Sequence, residues 1–335
     1  MKLLIIFSLM MLSVFTTSIF FIIVYSINTR RYKANNQFKG ELVNSQVLTL
    51  ENIEAIEIIG FLEDIYLVES DSDELILKEY KARRANHSEL ATTEVKENTL
   101  FITGNPSPIQ NTKKQYRREE LWIPSSYHGK LSITVTGGNI HGKMNLMLKN
   151  INLSSESGDI TLQSVTAEEI RVSTQSGLIS VERAEGKRIF QSTSGYIKVS
   201  SGGGDSVVST TSGGITLTNT TGQLDVKSGS GGLLITAKKG WGNINTNSGR
   251  VDVTLFEGQE PFTINTVSGD ILLQITDNIS CDFRAACEHG NINTFFDEQV
   301  IQSENGRVVT GSLGDAPTCM ILLTSVSGDI LVDRY

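Results

Sequence analysis

The chain has 335 residues, 39% of them hydrophobic, with 30 glycines and only 5 prolines; this is the composition of a folded protein with room for one or two domains, and it excludes a disordered tail. A formal net charge of -8 argues against a nucleic-acid binder, because phosphate contact needs a basic surface. The three cysteines, Cys281, Cys287 and Cys319, show neither a CxxC pair nor ligand spacing, which argues against a disulfide framework and against a zinc site.

Residues Leu3 to Val24 carry no charge, and 22 helical residues at about 1.5 Å each span about 33 Å, enough to cross a bilayer. Residues 1–25 therefore read as an uncleaved transmembrane anchor. A signal peptide would have a shorter apolar region and a small-residue cleavage site, and SINTRRYKANNQ offers none. Lys2 precedes the span while Arg30, Arg31 and Lys33 come after it, so the charge rule alone would keep the bulk of the chain in the cytoplasm.

After a polar linker at 26–40, residues 41–130 read as short strands that cap a repeat region beginning at Leu131. They include AIEIIG at Ala55, DIYLVES at Asp64, ELILKEY at Glu74, NTLFITG at Asn98 and ELWIPSS at Glu120. The charge-dense runs between them, KARRANHSE and NPSPIQNTKKQYRREE, read as solvated loops.

From Leu131 to Tyr335 the chain repeats a glycine, usually preceded by serine and followed two residues on by Ile, Leu or Val. The glycines are Gly138, Gly158, Gly177, Gly195, Gly213, Gly231, Gly249, Gly269, Gly290 and Gly328, with Gly306 a degenerate copy, and those from Gly177 to Gly249 are 18 residues apart. So short a period indicates a β-solenoid. Three columns result, each with its side chains on one face. Two places after the glycine stand Ile140, Ile160, Ile179, Ile197, Ile215, Leu233, Val251, Ile271, Ile292, Val308 and Ile330; four places after it the series runs from Leu162 to Val332, with Thr294 and Thr310 as lapses; five places before it the series runs from Ile133 to Leu323. A fourth column, three places before it, is mostly hydroxyl: Ser155, Thr174, Ser192, Thr210, Ser228, Thr246, Thr266 and Ser325, with Cys287 among them. Those hydroxyls should bond turn backbone, and the glycine should supply a backbone angle that other residues resist. The predicted fold class is thus all-β: a single-stranded parallel β-helix of about 18 residues per coil, preceded by a β-strand cap and a transmembrane helix. The tail DRY is expected to blunt the far end.

No residue set points to catalysis. The corner acids Asp159, Asp270 and Asp329 share a column, but in chain order no two adjacent coils place acids there, whereas sugar cleavage needs a pair. SGGGDSVVS at Ser201 resembles one calcium nonapeptide, and stacked calcium sites need several. His87, His128, His141 and His289 have no metal-ligand spacing, and Cys287 falls in the inward column as a buried thiol. Trp241 and Tyr196 are aromatics at turns, suited to packing or to stacking on a sugar, and the sequon at Asn219 matters only in a glycosylating compartment. No catalytic, cofactor-binding or metal-binding residue is expected, and no cofactor.

The order DIYLVESDSDELIL, NTLFI, LWIP, then serial SGxI corners from SGDITL onward, resembles a bacterial family of "putative adhesins" of unknown function, over about residues 45–335. The resemblance implies a membrane-anchored or secreted β-repeat protein lying outside the cytoplasmic membrane, without established catalytic residues, and associated with cell-envelope stress. It sets the orientation expected here against the charge rule. The expected function is a non-enzymatic binding or scaffold module for an envelope polymer or a membrane-protein partner, the alternatives being an accessory or sensory subunit of an envelope-stress system and a polysaccharide-active enzyme on the same fold.

Overall fold

In the computed structural model every regular element among the described residues is a β-strand. The structure describes residues 40–81, 90–104, 117–258, 260–295, 299–303, 306–314 and 316–335. The expected anchor at 1–25 and nearly all of the linker lie outside the described residues, as does His87. Among the described residues no helix is long and apolar enough to cross a membrane.

The aliphatic columns become parallel ladders. Ile140, Ile160, Ile179, Ile197, Ile215, Leu233, Val251 and Ile271 pair in unbroken register, and none is more than 1% exposed. The series Ile133, Leu153, Val172, Phe190, Val208, Val226, Ile244 and Ile264 does the same on the other side of the corner. Burying each such side chain stabilises the fold by roughly 1.5–3 kcal/mol. No single rung can bury its own inner face, so rungs are stable only when stacked.

The corners explain the recurrent SGDI. Ser155 Oγ accepts the Gly158 N–H at 2.8 Å and donates to Gly138 O in the preceding rung at 3.2 Å; Thr174 treats Gly177 and Gly158 in the same way. Ser192 and Thr210 accept from Gly195 and Gly213, and Ser325 donates to Gly269 O. At the corners from Gly158 to Gly213 the glycine is required for a different reason from the one expected. Gly158, Gly177, Gly195 and Gly213 have no left-handed φ, but a Cβ on any of them would lie 1.8–1.9 Å from the carbonyl oxygen of the corner glycine one rung back. Close rung-to-rung approach excludes a side chain there, whereas Gly231 and Gly249 also take the expected backbone angle, at φ 148° and 123°.

At both ends the spatial order of the rungs departs from chain order. Ala55–Gly60 lies between Thr99–Thr103 and Lys130–Val135 and is parallel to both, and Asp64–Ser70 lies in the same way between Arg117–Pro124 and Ile140–Met147. At the other end Cys319–Ser327 lies between Phe262–Ser268 and Cys281–His289, and Ile330–Arg334 between Ile271–Ile275 and Ile292–Thr294. The column therefore runs Ile271, Ile330, Ile292, and the all-β class holds while a single coil in chain order does not. Val308 leaves the column altogether. It lies in Gly306–Leu313, antiparallel to both Cys281–His289 and Gln299–Ser303, so Gly306 closes a hairpin and no rung corner.

The reason is chemical. Thr294 breaks the second aliphatic column, which the Val332 rung continues, so the Ile292 rung is suited only to the outside. The hairpin then covers one of its strands, as an exposed edge requires. The tail does not blunt this end: Tyr335 N–H donates to Ile275 O at 3.0 Å, and its ring meets that of Phe256 edge-on at 4.9 Å. The antiparallel strands Leu75–Lys81 and Thr92–Lys96 cover the opposite end.

Candidate functional site

Four strands at that covered end, Leu75–Lys81, Arg117–Pro124, Asp64–Ser70 and Ile140–Met147, lie side by side. Strand alternation sends Leu77, Leu121 and Leu67 inward and leaves Lys78, Glu120, Tyr66 and His141 in one outward row. Around the row the outer face is aromatic and cationic. Lys78 Nζ lies 3.8 Å from the Trp122 ring centroid; the Arg118 guanidinium lies 4.1 Å from Tyr66 and 5.6 Å from Tyr80; Lys143 Nζ lies 5.7 Å from Tyr66. Glu120 ties the group together, accepting from Trp122 Nε1 at 3.0 Å, from Tyr80 Oη at 3.3 Å and from Arg118 in an ion pair. Burial, reinforced by Glu120, raises the Tyr80 phenol above its ordinary value. Against Tyr66, with ring centroids 4.7 Å apart, His141 bonds Thr161 Oγ1 at 2.6 Å. Burial first, and Lys143 second, lowers its pKa to about 4, so this imidazole is neutral at physiological pH. Lys78, Arg118 and Lys143 thus gather on one face of a chain of net charge -8, with Glu120 among them, Asp64 in register with Arg118 and Asp159 acting on His141.

Beneath it the same strands bury carboxylates. Glu79 and Glu119 are register partners 1% and 5% exposed, with Glu63 nearby at 2%. Glu63 accepts the Phe61 and Leu62 N–H groups and pairs with Arg117 at 3.0 Å; Glu79 accepts from Asn44 Nδ2 and Ala91 N–H. Among the described residues Glu119 Oε2 has no hydrogen-bond partner. Burial, then the charges of Glu63 and Glu79, push its pKa to about 8, against the opposing pull of Lys81 and Arg117. The expectation that RREE belongs to a solvated loop is thus corrected: Arg117 to Glu120 are strand residues, and both glutamates are buried. Sequence order could have hinted at this, because LWIP comes directly after and the strand simply begins earlier.

The corner acids serve as backbone caps. Asp159 Oδ1 accepts Leu178 N–H at 2.8 Å, Asp270 Oδ1 accepts Asp329 N–H at 2.9 Å, and Asp329 Oδ1 accepts Asn291 N–H at 2.8 Å. The expectation that no two acids adjoin fails for Asp270 and Asp329, which the out-of-order rung makes neighbours. Asp205, in the calcium-like segment, accepts Gln223 N–H at 3.2 Å, and among the described residues no group of three His, Cys, Asp or Glu could hold a metal. An open cleft of about 570 Å³ is lined by Glu54, Asp73, Tyr127, His128, Lys130 and Lys149 among others; there Asn98 donates to Glu54, and His128 Nδ1 bonds Met147 O.

The structure scatters the remaining sequence candidates. Tyr196 packs its ring over Gly214 and bonds Thr216 through its hydroxyl, Trp241 is half-buried, and exposed Asn219 turns the chain at φ 49°. His289 ends an exposed strand tip, and all three cysteines are buried and free. Sequence reading missed Arg188, 1% exposed, whose guanidinium reaches past Ser206 to donate to Gly204 O at 2.6 Å and Thr221 O at 3.1 Å. Burial lowers its proton affinity, with Glu185 and Asp205 opposing.

No curated protein matches the chain. Among solved structures it is similar to a "putative adhesin" of Parabacteroides distasonis at 14% identity, covering 89% of this chain and 98% of that one with a TM-score of 0.46. It is also similar to a "putative adhesin" of Parabacteroides merdae at 10% identity, covering 87% and 95% with a TM-score of 0.45, and to a "putative lipid binding protein" of Parabacteroides distasonis at 15%, covering 86% and 96% with a TM-score of 0.34. The Toastrack DUF4097 family model matches residues 53–333, and the chain belongs to that family.

Proposed function

We propose that the protein is a non-enzymatic, membrane-tethered binding module of the cell envelope: a β-solenoid held outside the cytoplasmic membrane by Leu3–Val24, presenting its covered end to an anionic envelope glycan. The observation that carries this reading is the cation–aromatic face of Lys78, Arg118 and Lys143 around Tyr66, Tyr80 and Trp122 on an otherwise acidic chain. Aromatic faces stack on sugar rings while neighbouring cations select carboxylate or phosphate substituents. No nucleic acid is expected as partner, because the rest of the surface repels it.

The test is binding of the full chain in detergent to sodium polygalacturonate, with neutral dextran as control. Polygalacturonate should be retained, dextran should not, and binding should weaken as salt is raised from 50 to 500 mM. Lys143→Glu, at an exposed position, should reduce it at least about fivefold without altering the melting temperature. Equal retention of the two polymers, or an unchanged affinity in Lys143→Glu, would remove the ligand class from the proposal. Protease added to intact cells should degrade the β-domain, and full protection would reverse the orientation.

A further inference from the structure

The structure assigns a covalent modification site to Cys281 and Cys319: we propose that the two close into a disulfide that clamps the out-of-order rung to the rung outside it. The two residues are register partners in the parallel strands Cys281–His289 and Cys319–Ser327, and both side chains point inward. Register partners on neighbouring strands lie about 4.8 Å apart, within the separation of roughly 4.4–6.8 Å between Cα atoms that a disulfide spans. Each thiol also acts on the other as a hydrogen-bonding neighbour, and Cys319 Sγ donates to Ser280 O at 3.5 Å. Cys287 is different. Its register partners are Ser325 and Arg307, so no thiol stands opposite it.

The placement gives the bond a structural purpose. Thirty-seven residues lie between the cysteines, and within that span the chain leaves the stack, forms the antiparallel hairpin and returns to insert its next strand inside the previous one. A link between the two strands prevents the outer rung from leaving without the inner one. The oxidant required is a small-molecule or protein disulfide, for which oxidised glutathione serves as probe. The Cys319 thiolate, on the more accessible of the two residues, attacks the glutathione disulfide and releases one glutathione thiolate. The Cys281 thiolate then attacks the Cys319 sulfur and releases the second. One Sγ–Sγ bond forms and the glutathione disulfide breaks; the two protein S–H protons end on the two glutathione thiols, and two electrons pass from protein to glutathione. Burial raises both thiols above their ordinary pKa, which slows the exchange in the closed domain.

The full chain, reduced and then equilibrated with oxidised glutathione, would be digested without reduction and its thiols counted in denaturant. The expected result is a fall from three titratable thiols to one, a peptide pair joined through Cys281 and Cys319, and a melting temperature several degrees above that of the reduced protein. Cys287→Ser should fall from two thiols to none, whereas Cys281→Ser and Cys319→Ser should each keep two and lose the thermal shift. Three thiols persisting after refolding from denaturant in the same redox buffer would overturn the assignment, as would a linkage that includes Cys287.

Discussion

Replacing Glu119 by glutamine should stabilise the protein in a pH-dependent way. The folded state holds this carboxyl at a pKa of about 8, against 4.5 for an unperturbed glutamate, because its charge would be buried with Oε2 unpartnered beside Glu63 and Glu79. The folded chain thus binds this proton more tightly than the unfolded chain. The contribution to stability is fully present below about pH 4.5, declines as pH rises, and is lost above about pH 8. At about 1.4 kcal/mol for each tenfold change in proton affinity, the loss is on the order of 3 kcal/mol at pH 7, and on the order of 5 kcal/mol at most above pH 8. Glutamine is shaped like the protonated acid and cannot ionise. The difference in unfolding free energy between Glu119→Gln and the parent should therefore be near zero at pH 4.5 and should grow steadily to pH 8. Urea titrations at half-unit intervals from pH 4.5 to 9 measure it, and comparing two proteins at each pH cancels every other titrating group. A flat difference would refute the reasoning. A parent more stable than the variant at pH 8 would show that Lys81 and Arg117 hold Glu119 ionised after all.

Gly195→Ala brings a Cβ to within 1.8 Å of Gly177 O, so the rungs must part and the loss should reach about 3 kcal/mol or more; Gly232→Ala, whose Cβ meets nothing nearer than 3.9 Å, should cost less than about 1 kcal/mol, and paired urea midpoints distinguish the two. Ile215→Asp places a charge with no partner at a fully buried position between Ile197 and Leu233, and should abolish the cooperative transition seen by circular dichroism, a change of several kcal/mol. Wild-type-like melting of that variant would contradict the column assignment.

The interior rungs are legible because their chemistry is written identically each time. From Ser155 to Thr210 the hydroxyl accepts the N–H of the glycine three residues on, and an aliphatic residue always stands two places later, so periodicity exposes the rungs. The N-terminal rung is hidden because Glu63 stands where later rungs have glycine. Its carbonyl lies 1.7 Å from where a Cβ on Gly138 would be, the same stacking relation without the same letter. The buried glutamates escape a sequence reading because charge ordinarily means solvent, and only the strands packed around Glu119 show that this carboxyl is kept from water. The cation–aromatic face combines Tyr66, Tyr80, Arg118, Trp122 and Lys143 from four strands. No period links those positions, so the face exists only once parallel and antiparallel pairings have brought the strands together.

The same regularity explains why spatial order could not be read from chain order. Asp270 caps Asp329 and Asp329 caps Asn291, the relation that Asn139 has to Asp159 and Asp159 has to Leu178. A corner of this kind offers the same donors and acceptors to any neighbour, so local chemistry specifies a rung without specifying which rung comes next. Order is decided by the lapses. Thr294 cannot continue an aliphatic column, and Val332 can, so burial is greatest when the Ile330 rung covers Ile271 and the Ile292 rung lies beyond it. Because the inner rung comes after the outer one in the chain, the outer rung has no complete surface to pair with until about forty further residues have been placed. Loop-closure entropy must be overcome before those contacts form, which makes this junction a slow step in assembly.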